Sequence, residues 1–71
     1  MNEYLVVVER AENNFAAYLP DLPGCVTTGD TREEALDLMR NAVELHLKGM
    51  REDGLPIPPP STSAEYVAVA I

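Results

Sequence analysis

The sequence has one cysteine, one histidine and no tryptophan in 71 residues. The lone Cys25 excludes an internal disulfide and fits a small buried or half-buried side chain in a reducing compartment. A single histidine, His46, has no second His or Cys at ligand spacing, which argues against a zinc-type site and against a Cys–His nucleophile. Basic residues are scarce: five Lys and Arg face 12 Asp and Glu, for a formal net charge of -7 and a pI near 4.3. A surface of that sign repels phosphate backbones, so the chain alone is not expected to bind nucleic acid; it attracts basic partners. No apolar run approaches the roughly 18 residues of a membrane span, and no basic stretch followed by an apolar run opens the chain as a secretory signal would. These absences point to the cytoplasm. The glycines, Gly24, Gly29, Gly49 and Gly54, are too scattered for a phosphate-cradling loop, and no serine stands between the glycines of a nucleophile elbow. No cofactor is expected.

What is present is enough apolar matter to fold. Apolar residues make up 46% of the chain, too many for a disordered segment. Residues 1–71 read as one domain without internal repeats. A domain of this size buries only about 60% of its unfolded surface, so it is expected to gain from association.

Tyr4 to Glu9 is β-branched and apolar on both faces, the pattern of a central strand. Arg10 to Asn14 is polar, and Asn13-Asn14 tolerate the left-handed backbone of a hairpin turn. Phe15 to Leu19 is a second strand, with Phe15, Ala17 and Leu19 on one face. Pro20 to Gly24 makes a compact loop, and Cys25 to Thr28 a short third strand. Thr31 with Glu34 three residues later is a capping box, opening a helix that runs to about Glu52 and stops at Gly54. On the helix wheel, Ala35, Leu36, Leu38, Met39, Ala42, Val43, Leu45, Leu47 and Met50 fill a broad apolar arc. Arg40, Glu44 and Lys48 follow one another at four-residue spacing on the opposite side, suited to ion pairs. Leu55 to Pro60 is a stiff proline-rich connector, and Tyr66 to Ile71 reads as a fourth strand, apolar on both faces.

The order β-β-β-α-β defines an α+β fold. Two tight connections make a meander. A right-handed helical crossover then returns the fourth strand beside the first, giving sheet order 3-2-1-4 with the helix on one face. The other face has no helix to cover it, which points to a homodimer or higher homo-oligomer. The arc is also wide for one small sheet, so His46, Met50 and Tyr66 are candidate oligomer contacts.

Acid chemistry is poorly served. Two-metal hydrolysis needs several carboxylates converging from strand centres, and those centres here are Leu, Val and Ala. Asp21, Asp30, Glu33 and Glu34 are the one set that a fold could gather near the helix start, for a weak metal-dependent nuclease. Their alternative role is a solvated loop and helix capping.

The run Phe15-Ala16-Ala17-Tyr18-Leu19-Pro20-Asp21-Leu22-Pro23-Gly24-Cys25, then Thr28-Gly29-Asp30-Thr31, Glu33-Glu34-Ala35-Leu36 and Gly54-Leu55-Pro56-Ile57-Pro58-Pro59-Pro60, resembles the HicB-like antitoxin family over nearly the whole chain. The resemblance implies a partial ribonuclease H-like β-β-β-α-β unit without nuclease acids. It also implies a role: capping a small basic HicA-like toxin that cleaves messenger RNA, by occluding its active site, with no enzymatic activity of its own. Many family members continue into a C-terminal DNA-binding domain, whereas this sequence is expected to hold the HicB-like domain alone. The Pro20–Cys25 loop shapes the backbone and also offers candidate partner contacts in Asp21, Leu22, Pro23, Gly24 and Cys25. Thr31 and Glu34 are expected to serve the helix cap. The alternative function is a solitary homo-oligomer, regulatory or ligand-binding, without a toxin.

Overall fold

A computed structural model describes residues 3–71. Three short strands, β1 (Val7–Arg10), β2 (Phe15–Tyr18) and β3 (Val26–Gly29), precede one long helix, α1 (Arg32–Glu52). The strands form an antiparallel meander in the order β1-β2-β3. Val8 sits opposite Ala17, and Ala17 opposite Thr27. The α+β class and the 3-2-1 part of the expected order are therefore present. Each strand is shorter or shifted relative to its apolar run. Tyr4 to Val6 lead into β1 without ladder partners, though Tyr4 and Val6 still pack against the core.

The β1–β2 turn closes with the Ala11 N–H donating to the Asn14 carbonyl at 2.8 Å. Among the described residues no non-glycine has positive φ. The left-handed tolerance of Asn13-Asn14 is thus not used, and the four-residue loop closes with ordinary backbone angles.

The helix begins and ends on local chemistry. Thr31 Oγ1 accepts from the Glu34 N–H at 3.0 Å, and Glu34 Oε1 reaches back to the Asp30 N–H at 3.4 Å. At the far end Gly54 turns to φ 68°. Its N–H donates to the Arg51 carbonyl and the Leu55 N–H to the Met50 carbonyl, at 3.1 and 2.9 Å. That pair of bonds, across a left-handed glycine, is a Schellman ending. Thr27 Oγ1 donates to the Ala35 carbonyl at 2.9 Å and ties β3 to the first turn of α1.

The core lies between sheet and helix: Ala17, Leu19, Leu22, Cys25, Ala35 and Met39 are buried. Tyr4, Val6, Val8, Phe15, Val43, Leu47 and Met50 pack around them. The apolar arc of the helix is wider than this sheet. Leu38 is 46% and Leu45 71% exposed. On the polar face the recorded ion pair joins Arg40 to Asp37, one turn back, rather than to Glu44. Both partners are largely exposed, so it contributes a few tenths of a kcal/mol at most.

The expected fourth strand is the main correction. Tyr66–Ile71 carries no strand and joins no sheet, and its side chains stand in solvent. Order 3-2-1-4 is not formed within the chain. Ordering six residues costs roughly 1–2 kcal/mol each in backbone entropy. The stiff connector and the Asp21 contacts set where the segment leaves the body, and it does not pair beside β1 in this chain. Two ties hold the connector before it departs: the Tyr4 hydroxyl donates to the Pro58 carbonyl, and Asp21 takes up Ser61 and Thr62.

Candidate functional site

The Pro20–Cys25 loop is built by two successive turns. The Leu22 N–H donates to the Leu19 carbonyl and the Cys25 N–H to the Leu22 carbonyl, both at 3.3 Å. Gly24, at φ 95°, makes the reversal that brings the chain back into β3. The result sorts the loop's residues by role. Leu22 and Cys25 point inward, 1% and 5% exposed. Pro23 and Gly24 are exposed at the tip. Of the five loop residues singled out from the sequence, then, Leu22 and Cys25 offer no surface in this fold and belong to the core. Burial pushes the Cys25 thiol up from its ordinary value, the reverse of what a nucleophilic thiolate needs.

Asp21 has a third role that no local pattern announces. One carboxylate oxygen accepts from the Ser61 and Thr62 N–H groups at 2.9 and 3.0 Å. The other accepts from their hydroxyls at 3.1 and 2.7 Å. The Thr62 hydroxyl, followed by the two backbone donors, holds the carboxyl at about 2, below its ordinary 3.8, while slight burial acts the other way. This carboxylate is a clasp between the loop and the chain that follows the proline connector. The partners are 40 residues apart, so neither helical nor strand periodicity could have paired them.

The acids do not assemble into a catalytic or metal centre. Among the described residues, no three of His, Cys, Asp and Glu stand close enough together to hold a metal ion. Asp21 is occupied by Ser61 and Thr62, and Glu34 by the helix start. The gathering of Asp21, Asp30, Glu33 and Glu34 required by a nuclease reading is not formed. His46 is half-buried on α1, and Met50, also half-buried, packs against the core. Tyr66 is fully exposed. Of these three candidate oligomer contacts, two lie on the helix and one on the segment after the connector.

What the fold does present is surface. Twelve acids against five bases leave the chain at -7. Exposed apolar side chains sit on the helix at Leu38 and Leu45, on β3 at Val26, and along Tyr66–Ile71. Among the described residues no helix is long and apolar enough to cross a membrane.

A three-stranded meander under one capped helix, with a proline-glycine loop and a net charge of -7, defines a small acidic α+β domain. A family model described as the HicB-like antitoxin of bacterial toxin–antitoxin systems matches residues 4–70. The chain belongs to that family. It is 42% identical over 62 residues to a protein named Antitoxin HicB 2 from Photorhabdus laumondii, covering 87% of this chain and 45% of that protein. It is 31% identical over 64 residues to an uncharacterised 14.9 kDa protein of Haemophilus phage HP1, covering 90% and 48%. A UPF0150 protein of Helicobacter pylori is 43% identical over 49 residues, covering 69% and 68%. The chain thus spans about half the length of the first two relatives.

Proposed function

We propose that this domain is the toxin-binding part of an antitoxin: it neutralises a small basic HicA-like ribonuclease by lying over its active site, and it acts by binding alone, in the cytoplasm, without a cofactor. The observation that carries the reading is the family match across nearly the whole chain. Charge supports it. Outside residues 30–53, five acids against one arginine leave -4, and the helix segment carries -3. Both halves of the molecule therefore attract a basic protein and steer it on approach. Contact falls to the loop tip at Pro23 and Gly24 and to the exposed apolar side chains of α1. Asp21 serves as the clasp behind the tip. Direct binding to nucleic acid or to a membrane is not part of this reading.

The test is co-expression with the adjacent open reading frame. A small basic protein should co-purify with the domain, and its cleavage of messenger RNA should stop at stoichiometric addition of the domain. If no such protein binds, the neutralising role is wrong.

A second reading is a homo-oligomeric regulatory or ligand-binding domain without a toxin. The specific support is apolar surface left open on a small chain, with Leu45 71% and Val69 69% exposed. In both readings the ribonuclease H-like unit is completed only when a fourth strand is added beside β1.

A further inference from the structure

Among the described residues, β1 pairs with β2 on one side and with no strand on the other. An open edge is a template for another strand. A groove of about 370 Å³ lies between α1 and the segment that leads into β1: Tyr4, Val6 and Leu19 wall it on one side, Leu36, Met39 and Val43 on the other, with Arg40 and Glu44 beside them on α1. Tyr4 and Val6 run directly into β1, so the groove lies in line with that edge. Side chains on one face of an added strand would enter it.

The chain carries a segment of matching chemistry that is exposed and joins no sheet. Tyr66-Val67-Ala68-Val69-Ala70-Ile71 alternates so that Val67, Val69 and Ile71 share one face of an extended strand. Tyr66 and Ile71 are fully exposed, Val67 79% and Val69 69%. The Asp21 clasp on Ser61 and Thr62 fixes where this segment leaves the body. Ala64, Glu65 and Tyr66 pass beside Leu5–Val8, and beyond them the segment departs. Its departure shows in the dimensions: the radius of gyration is 14.0 Å, against about 11 Å for a compact chain of this length. The longest extent is 49 Å, the others 26 and 19 Å.

We propose that Tyr66–Ile71 of one copy adds as a fourth strand to the β1 edge of a second copy, reciprocally, with Val67, Val69 and Ile71 seated in the groove beneath α1. The exchange is two-fold and closed: each copy caps the other's edge and fills the other's groove, and no apolar segment is left over. It places the missing strand at the fourth position of the 3-2-1-4 order, supplied by the neighbour. The proposal deepens the homo-oligomeric part of the reading above and is independent of the toxin. A monomer would overturn it and leave toxin binding standing, and the lack of a toxin would leave the exchange standing.

Light scattering on the pure chain should give twice the 7.8 kDa chain mass. The double substitution Val67→Asp/Val69→Asp should return it to one chain mass with helical circular dichroism retained. On the unaltered protein, isotope-filtered spectra of a labelled and unlabelled mixture should show contacts between the Val67 and Val69 methyls of one copy and Met39 and Val43 of the other. A wild-type monomer, a dimer that survives the double substitution, or methyl contacts confined to one chain (the segment folding back on its own β1) would each overturn the exchange.

Discussion

Leu22 separates a contact role from a core role within the same loop. It lies between the two prolines of Pro20-Asp21-Leu22-Pro23, where a surface residue would be expected, yet it is 1% exposed and one of the two largest fully buried side chains, with Met39. Truncation to alanine removes a buried isobutyl group and leaves a cavity, which costs about 2–5 kcal/mol. At roughly 0.05–0.15 kcal/mol per residue, a domain of 71 residues has about 4–11 kcal/mol of stability in all. Leu22→Ala thus removes a large share of it. At about 4–8 °C per kcal/mol for a domain of this size, a loss near 3 kcal/mol lowers the melting temperature by roughly 12–24 °C. Thermal and urea unfolding followed by helical circular dichroism measures this directly. Pro23→Ala, at the exposed tip one residue on, should move the melting temperature far less. If Leu22→Ala melts within 2–3 °C of the parent but no longer binds its partner, Leu22 is a contact residue and the core assignment fails.

The Asp21 carboxyl should titrate at about 2 in a carbon-detected spectrum. Because its folded value lies below the ordinary 3.8, its contribution to stability is fully present above that value and is lost as pH falls through about 2. Asp21→Ala should flatten that part of the stability curve, and an unchanged acid limb would count against the clasp. At Gly29, an added Cβ would stand 2.7 Å from the Ala35 backbone nitrogen and 3.0 Å from Glu34 Cβ. Gly29→Ala should therefore push α1 off β3 and lower the denaturant midpoint by more than 1 kcal/mol equivalent. Gly49→Ala meets nothing within 4 Å and should instead stabilise the helix by about 0.5–1 kcal/mol, so equal effects at the two positions would refute the packing argument. Thr31→Ala removes the acceptor of the Glu34 N–H and should cost about 1 kcal/mol by denaturant unfolding; no measurable loss would mean the cap is frayed in solution.

Signals that live within a few residues were legible in the sequence. The helix starts at the Thr31–Glu34 pair and stops at Gly54 because both ends are set by side-chain and backbone bonds spanning three to five positions. The meander follows from three short runs joined by two short loops. Legibility fails where the answer depends on distant partners. Tyr66–Ile71 has the composition of a strand, but composition says only that the segment suits a pleated surface, not that its own chain provides one. Arg40 could have bonded Glu44 or Asp37 at equal entropic cost, and spacing alone does not choose between them. The sorting of Pro20–Cys25 into inward Leu22 and Cys25 and outward Pro23 and Gly24 is fixed by two 3.3 Å turn bonds and a left-handed glycine. In sequence it reads only as a loop.

The proposed exchange and the proposed toxin contact draw on different apolar surfaces of this domain. The β1 edge and the groove beneath α1 match a strand that the chain itself carries, so self-exchange satisfies them locally. Leu45 and Leu38 are exposed rather than part of that groove's lining. Pro23 and Gly24 are likewise exposed and outside that lining. Pairing two chains also doubles the charge, from -7 per chain, while leaving both helices' exposed sides free. The proposed exchange and the proposed capping of a basic partner thus draw on different residues of the domain. Closing the edge would remove the aggregation hazard of an unpaired strand. The added charge meanwhile raises the local concentration of that partner at the surface left for it.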